Sequence, residues 1–360
     1  MRKRLTASIA AAALALGAVF AAPAFAAEVN LKGAGSSFAN KFITSCAVKN
    51  TSYSVSYNPA GSGTGRSSFA NGSVAFGASD AANSITLSGV RAGGSYTYIP
   101  VVGGPIAILF NVPGISSGKL KLDAATYAKI LTGKVKMWND AAIKNLQDAA
   151  IKSKLPAKPI RVVYRSANSG TSENLTDYLR QNVPTVWTRA KNGTIASGNP
   201  AGRMPAGAIG APNSQSLVTS VKSMAYTIGY ADLSDTVDAS GNPKVAVAKL
   251  KNANGEFIAP TSASSAKFLE VFSNRKYFNA TTGAVKLNFT TKIAGAYNMS
   301  LLTYAIADKG ATSATAGNVE EYVTYLLDTC GPQFAASLGY APITGELKTK
   351  ALALAAGIKQ

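Results

Sequence analysis

Residues 33–38 read Gly-Ala-Gly-Ser-Ser-Phe and lie between an apolar segment, Val29 to Lys32, and an amphipathic segment, Ala39 to Val48. The first segment predicts a β-strand, and the second predicts an α-helix with Phe42 and Ile43 on its apolar face. In such a strand-to-helix turn, backbone N–H groups and hydroxyls point to the space in front of the helix N-terminus. The stretch therefore predicts an α/β unit and a place where an anion binds without a counter-charge.

Two later turns have the same design. Residues 60–65, Ala-Gly-Ser-Gly-Thr-Gly, follow an alternating strand pattern at Tyr53 to Tyr57. Residues 165–172, Arg-Ser-Ala-Asn-Ser-Gly-Thr-Ser, follow the β-branched strand Ile160 to Tyr164 and precede a helix predicted over Glu173 to Arg180. The glycines allow the main chain to approach a ligand closely. Each turn alone would be an ordinary connection, but three of one design indicate an anion site.

The glycine patterns do not fit nucleotide-binding motifs. Gly33-x-Gly35 matches the start of a dinucleotide fingerprint, but Phe38 stands at the third glycine position and no acidic residue occurs near Tyr53 to Tyr57. The turn at 61–66 lacks the Lys-Ser/Thr pair of a P-loop.

The rest of the chain alternates strands with helices, as α/β lobes do. Val74 to Ala78 predicts a buried strand that stops at Ser79-Asp80. Gly103-Gly104-Pro105 predicts a break between strands at Tyr98 to Val102 and Ile106 to Asn111. The remaining predictions are a helix over Ala124 to Leu131 capped by Asp123, a loop over Gly198 to Asn213, a helix over Ser214 to Met224, strands at Ile228 to Tyr230 and Tyr297 to Ile306, and a helix over Val319 to Leu327 that leads to Cys330.

The N-terminus predicts a signal peptide over residues 1–26. Met1 to Arg4 is basic, Leu5 to Ala22 is apolar, and Pro23 to Ala26 ends in a small-x-small cleavage signal. We expect a mature chain that begins at Ala27 and acts in the periplasm or as a secreted protein. The alternative is a membrane anchor, which the alanine-rich composition and the cleavage signal disfavour.

The composition is strongly basic, with 36 Lys and Arg, 17 Asp and Glu, and a formal net charge of +19. Loss of Arg2, Lys3 and Arg4 with the signal peptide leaves +16, because no acidic residue goes with them. A positive field of this size concentrates anions. Nucleic acid is the alternative partner, but the basic residues are scattered and form no dense run, so we expect no nucleic-acid binding.

The chain contains no histidine, which excludes Ser-His-Asp hydrolases, Cys-His proteases and the usual zinc sites. A phosphatase that uses Ser62 or Ser169 is the enzymatic alternative. Neither serine has a base partner in the sequence pattern, and no metal-ligand cluster is present. We therefore expect a protein that is not an enzyme and that uses neither a cofactor nor a metal.

The chain has two cysteines, Cys46 and Cys330. Export to an oxidising compartment favours a disulfide between them, and two buried free thiols are the alternative. A bridge would require the first and last segments of the chain to lie together.

Two charged residues adjoin the predicted anion turns. Arg165 adds planar donors suited to a tetrahedral oxyanion, and its alternative role is a surface salt bridge. Asp80 would repel an anion unless it accepts a proton from the ligand, and its alternative role is a helix cap. Phosphate near neutral pH carries one or two protons and sulfate carries none, so an acceptor-only carboxylate favours phosphate.

The sequence resembles the phosphate-binding subunit of high-affinity phosphate ABC importers. The resemblance extends from about Val29 to about Tyr230. It rests on residues 33–38, Gly61-Ser62-Gly63, Phe76 to Asp80, Pro100 to Pro113, Leu131 to Trp138, Arg165 to Thr171 and Ile228-Gly229-Tyr230.

The resemblance implies an α/β, two-lobed periplasmic-binding-protein fold of type II, with mixed sheets, flanking helices and a ligand cleft between the lobes. It implies that residues 27–103 and 297–360 form lobe I, with both cysteines, and that residues 104–296 form lobe II. The implied partners are inorganic phosphate and a membrane ABC permease, and we expect a monomer. The implied phosphate ligands are Ser37, the backbone of Phe38, Ser62 and Asp80 from lobe I, and Arg165, Ser169, Gly170 and Thr171 from lobe II.

The sequence departs from the family at one position. The family usually has an aspartate two residues after the site arginine, and this chain has Ala167. We expect Arg165 to be held by another acid or to be less constrained. The function implied is capture of phosphate for an importer, and the alternative is a secreted scavenger, sensor or adhesin of the same fold.

Overall fold

The computed structural model describes residues 30–50, 54–188, 204–238, 242–274 and 276–359. The predicted signal peptide and part of the predicted loop at 198–213 lie outside these ranges. Within them, no helix has both the length and the apolar character needed to cross a membrane.

The described part of the chain is built around a mixed nine-stranded sheet, in the order β2-β1-β3-β12-β4-β8-β6-β7 with β9 paired to β4. A small second sheet has the order β11-β10-β5. The strands are β1 (Asn30–Gly35), β2 (Ser54–Asn58), β3 (Phe76–Ser79), β4 (Tyr96–Asn111), β5 (Lys121–Leu122), β6 (Arg161–Arg165), β7 (Ile209–Ala211), β8 (Thr227–Asp232), β9 (Ala246–Val247), β10 (Lys249–Lys251), β11 (Phe257–Ile258) and β12 (Ser300–Asp308).

Helices flank this sheet, and the predicted α/β class is confirmed. Asp123 caps α3 as predicted, since its side chain accepts a hydrogen bond from the N–H of Thr126 at 2.7 Å. The helices are α1 (Asn40–Lys49), α2 (Ser62–Ala70), α3 (Ala124–Leu131), α4 (Ala141–Lys144), α5 (Ala149–Lys152), α6 (Gly170–Asn182), α7 (Ser214–Ser223), α8 (Ser262–Glu270), α9 (Ala314–Tyr325), α10 (Gly331–Phe334) and α11 (Gly345–Ala355), with short 3₁₀ turns at Gly89–Arg91, Leu233–Thr236 and Val271–Ser273 and a π-helical turn at Leu326–Cys330.

The predicted break at Gly103-Gly104-Pro105 is wrong, because β4 is one strand that passes through it. Its first part pairs antiparallel with β12 as far as Pro105, and its second part pairs antiparallel with β8 from Ile106 onward. Proline has no N–H to give to a ladder and is tolerated where strand pairing ends. In β4, Pro105 lies where pairing with β12 ends and pairing with β8 begins, so the strand continues.

The predicted loop at 198–213 is wrong in part, since β7 (Ile209–Ala211) lies within it and pairs parallel with β6. This pairing matters for function because it adds a second strand end beside that of β6. The carboxyl ends of β1, β2 and β3 open at one edge of the first half of the sheet, and those of β6, β7 and β8 open in the second half. Open α/β sheets bind ligands beyond such ends.

Cys46 and Cys330 form the predicted disulfide, and the alternative of two free thiols is excluded. Cys46 lies on the buried face of α1, and Cys330 ends the π-helical turn that follows α9. Both cysteines are fully buried. The bridge therefore joins the first helix of the described chain to its C-terminal helices.

Candidate functional site

Four helix N-termini converge between the two halves of the sheet. The turns that precede α1, α2 and α6 are the three glycine- and serine-rich turns of the sequence analysis, and they follow β1, β2 and β6. The N-terminus of α7 follows β7 and joins them. The first N–H groups of a helix have no partner within the helix and carry the positive end of its dipole. The arrangement is therefore suited to an anion.

The eight predicted ligand residues come together and are buried. None of the seven with a side chain is more than 3% exposed. Gly170, the eighth, is buried at the start of α6. The Phe38 ring lies edge-on against Tyr340, whose hydroxyl donates to the Phe38 carbonyl at 2.7 Å. The ring and the carbonyl of Phe38 thus have partners within the protein, and the group predicted to bind the ligand is its N–H.

Asp80 lies at the centre of a cluster of hydroxyl groups. Its Oδ1 accepts from Ser36 at 2.5 Å and from Thr303 at 2.7 Å. Its Oδ2 accepts from Ser62 at 3.2 Å and from Thr171 at 3.5 Å. The two bonds to Oδ2 are long, and both come from predicted ligands. This oxygen therefore retains most of its capacity to accept a proton from another group.

The pKa of Asp80 is raised by burial, and the hydrogen bonds from Ser36, Thr303 and Ser62 oppose that rise. The alternative role of a helix cap is excluded, because the residues directly after Asp80 form no helix and the carboxylate binds side-chain hydroxyls. A buried carboxylate surrounded by neutral donors acts as a hydrogen-bond acceptor. The predicted recognition of a phosphate proton by Asp80 requires such an acceptor.

Gly170 brings the two halves of the molecule into direct contact. A Cβ atom at this position would lie 2.5 Å from Ser62 Oγ and 2.6 Å from Asp80 Cβ. Asn174, one turn further along α6, donates to the Asp80 carbonyl at 2.6 Å. The turn before α6 therefore closes against the strand end of β3, and only glycine permits that approach. Ser169 caps α6, since its hydroxyl accepts from the N–H of Ser172 at 3.2 Å.

Arg165 is 1% exposed, so its alternative role in a surface salt bridge is excluded. Its Nε and Nη2 atoms both donate to the carbonyl of Pro212, at 3.3 and 3.1 Å. Its Nη1 atom donates to Ser37 at 3.0 Å and to Ser214 at 3.4 Å. Of the two expectations for Arg165, that another acid holds it or that it is less constrained, the first is wrong, because the neutral carbonyl of Pro212 holds the guanidinium.

Within the described residues, no carboxylate bonds directly to the guanidinium of Arg165. Burial lowers its pKa, and the more distant Asp80, Asp232 and Asp235 act in the opposite direction. Burial and the neighbouring Asp235 raise the pKa of Asp232 well above its usual value, and burial also raises that of Asp235. Asp232 Oδ1 is buried and has no hydrogen-bond partner within the described part of the chain.

Among the described residues, the sequence interpretation missed four that bind the side chains of Asp80 and Arg165. Ser36 and Thr303 bind Asp80, and Pro212 and Ser214 bind Arg165. Ser36 is next to a predicted ligand, and Ser214 begins a predicted helix, so a weak signal existed for both. Thr303 lies within an apolar strand and Pro212 within a loop, where the sequence carried no signal. Within the described residues, no group of three acidic or cysteine side chains could hold a metal ion.

A cavity of about 260 Å³ borders Asp80. Its lining includes Asn174 and Asp177 of α6 and the exposed cations Arg180 and Lys286. Arg180 and Asp177 form an ion pair at this cavity, so their formal charges cancel.

Comparison with known proteins gives consistent results. A family model described as the PBP superfamily domain matches residues 21–329. The phosphate-binding protein PstS of Pasteurella multocida is 32% identical over 253 residues, which cover 69% of this chain and 68% of that protein. The phosphate-binding protein PstS of Haemophilus influenzae is 28% identical over 328 residues, which cover 90% and 91%.

Among solved structures, the chain is similar to PfluDING, a high-affinity periplasmic phosphate-binding protein determined with bound phosphate. The TM-score is 0.69 at 20% identity, and the match covers 90% of this chain and 93% of that one. The likeness confirms the predicted two-lobed α/β fold.

Proposed function

The chain belongs to the PBP superfamily and, within it, to the PstS family of phosphate-binding proteins, and on this premise we propose that it captures inorganic phosphate between two lobes and delivers it to a membrane ABC importer. It performs this task outside the cytoplasmic membrane, as a monomer and without catalysis. The observation that carries the proposal is the buried Asp80 among hydroxyl donors, with the buried Arg165 in the same cleft.

The proposed ligands divide between donors and one acceptor. Ser37, Ser62, Ser169 and Thr171 contribute hydroxyls, and Phe38 and Gly170 contribute backbone N–H groups. Arg165 contributes charge-assisted bonds, which are the strong ones. When phosphate enters, Ser62 and Thr171 turn from Asp80 to the anion, and the released Oδ2 accepts the phosphate proton. The support for this step is the length of those two bonds, 3.2 and 3.5 Å.

The change of partner along β4 supports a division into lobes. Lobe I comprises residues 27–103 and 297–360, and lobe II comprises residues 104–296. We place the two crossings of the chain between the lobes near Gly103-Gly104 and near Ala296-Tyr297. The pairing of β4 passes from β12 to β8 after Pro105, within two residues of the first crossing. The second crossing precedes β12, where the Tyr297 hydroxyl donates to the carbonyl of Ile106 at 2.9 Å. The lobes close when the anion bonds to both.

Calorimetric titration of the mature protein with phosphate, arsenate and sulfate tests capture. We expect one site that binds phosphate and arsenate and rejects sulfate at equal concentration. The radius of gyration from solution scattering should fall on addition of phosphate and stay constant with sulfate. A protein that binds no phosphate, or that binds sulfate equally well, would refute the proposal. Loss of high-affinity phosphate uptake on gene deletion, restored by the intact gene, tests delivery to the importer.

A further inference from the structure

The first turn of α7 contacts the phosphate site through two adjacent side chains. Ser214 is 1% exposed, and its Oγ lies 3.1 Å from the hydroxyl of Ser37 and 3.4 Å from Nη1 of Arg165. The N–H of Ser214 also donates to the Ser37 hydroxyl, at 3.3 Å. Ser214, a residue of the proposed lobe II, therefore contacts one proposed phosphate-binding residue from each lobe.

Gln215, the next residue, binds the backbone of the same loop. Its Nε2 donates to the carbonyl of Ser37 at 3.4 Å and to Oδ2 of Asp235 at 2.7 Å. The described peptide bonds are all trans, so the Ser37 carbonyl and the Phe38 N–H point in opposite directions from one peptide plane. A donor that fixes this carbonyl also fixes the direction of the Phe38 N–H.

We propose that Ser214 and Gln215 are positioning residues of the phosphate site: Ser214 orients Arg165 and the Ser37 hydroxyl, and Gln215 aims the Phe38 N–H at the anion. The proposal rests on the proposed function and adds residues that no part of the ligand prediction contained. Its physical basis is preorganisation, since donors that are already fixed lose little freedom when the ligand binds. Ala167 has no polar side-chain atom for the guanidinium, so Arg165 depends on Pro212, Ser37 and Ser214 for its orientation.

Ser214→Thr and Ser214→Val test the hydroxyl, because the two new side chains have nearly the same shape and differ in that group. We expect the threonine variant to bind phosphate within about threefold of the parent, and the valine variant to bind about tenfold more weakly or worse, as loss of a bond to a charged group implies. Gln215→Met, which keeps the length and removes the amide, should weaken phosphate binding about fivefold, as loss of a neutral hydrogen bond implies. Ser216→Ala, on the same helical turn, is the matched control and should bind as the parent does.

The positioning role has a signature that a general loss of structure lacks. The variants should release phosphate faster, with an unchanged association rate constant. Their affinities for phosphate and for arsenate should fall by equal factors, because the site contacts both anions through the same set of oxygens. Their thermal midpoints without phosphate should match that of Ser216→Ala. Phosphate affinity equal to that of the parent in both Ser214→Val and Gln215→Met overturns the inference. A parent protein that fails to bind phosphate overturns the proposed function itself.

Discussion

Replacement of Asp80 by asparagine tests how the site tells phosphate from sulfate. In the parent protein Asp80 is 3% exposed, and both its oxygens are acceptors. Sulfate has no proton to offer Oδ2, so its binding leaves two negative groups in contact, which costs about 3 kcal/mol or more and reduces affinity about a hundredfold. In Asp80→Asn, the amide oxygen keeps the bonds from Ser36 and Thr303, and the NH₂ group donates to an oxygen of either anion.

The expected result is a change in the ratio of two affinities. Phosphate should bind about 10–100-fold more weakly to Asp80→Asn, because one charge-assisted bond becomes neutral. Sulfate should bind more tightly than in the parent, so that the two anions differ by no more than about tenfold. Calorimetric titrations of both anions at one pH and ionic strength measure the ratio directly.

Asp177→Asn is the matched control for this experiment. Asp177 lines the cavity beside Asp80 and pairs with Arg180 across 2.5 Å, so its replacement removes one negative charge near the cleft without touching the hydroxyl cluster. The control should preserve the rejection of sulfate. If Asp80→Asn rejects sulfate as strongly as the parent, or if Asp177→Asn accepts it equally, the selectivity does not reside in the Asp80 carboxylate.

The remaining predictions concern the bridge, a buried acid pair and one glycine. Replacing both cysteines by serine should lower the free energy of unfolding by about 5–6 kcal/mol in the chain-entropy model, since the bridge spans 284 residues; unchanged urea unfolding would contradict it. The pKa values of Asp232 and Asp235 are raised in the folded state, so the folded state binds more protons than the unfolded state. The stabilisation that these two carboxyl groups contribute is therefore full at low pH and is lost as the pH rises through their folded-state pKa values. In Asp232→Asn, the midpoint of thermal unfolding should therefore depend less on pH above about pH 4, the usual carboxyl pKa. A dependence equal to that of the parent would contradict the raised pKa of Asp232. Gly170→Ala should keep the lobes apart, because its Cβ would meet Asp80, and scattering should then show no compaction with phosphate.

The three turns and the strand-helix alternation could be read from the sequence because their signals are local. Glycine and serine between an apolar strand and an amphipathic helix specify a turn, and Asp123 specifies a cap, through neighbouring residues alone. The resemblance then gathered Ser37, Asp80 and Arg165 into one site, and the structure brings them together. Gly170 also fits this pattern, because its position in the turn predicts the close approach that the structure contains.

The errors concern interactions between segments that are distant in sequence. The turn residues Gly103 to Pro105 predict an interruption, but β4 continues because two different strands, β12 and β8, pair with its two parts. The carbonyl of Pro212 holds Arg165 from 47 residues away, and Thr303 reaches Asp80 from 223 residues away. A carbonyl acceptor has no sequence signature, since every residue has one, so the substitute for the missing acid could not be predicted.

The disulfide also makes the molecule a covalent ring with two short tails. The ring contains every residue from Cys46 to Cys330, and so includes Ser62, Asp80 and the entire proposed lobe II. One peptide bond hydrolysed within this ring opens it without releasing a fragment, because the two new ends stay attached through the bridge. The tail that carries Ser37 is joined to the same ring by α1. All the proposed ligands thus stay in one molecule after a single proteolytic cut inside the ring.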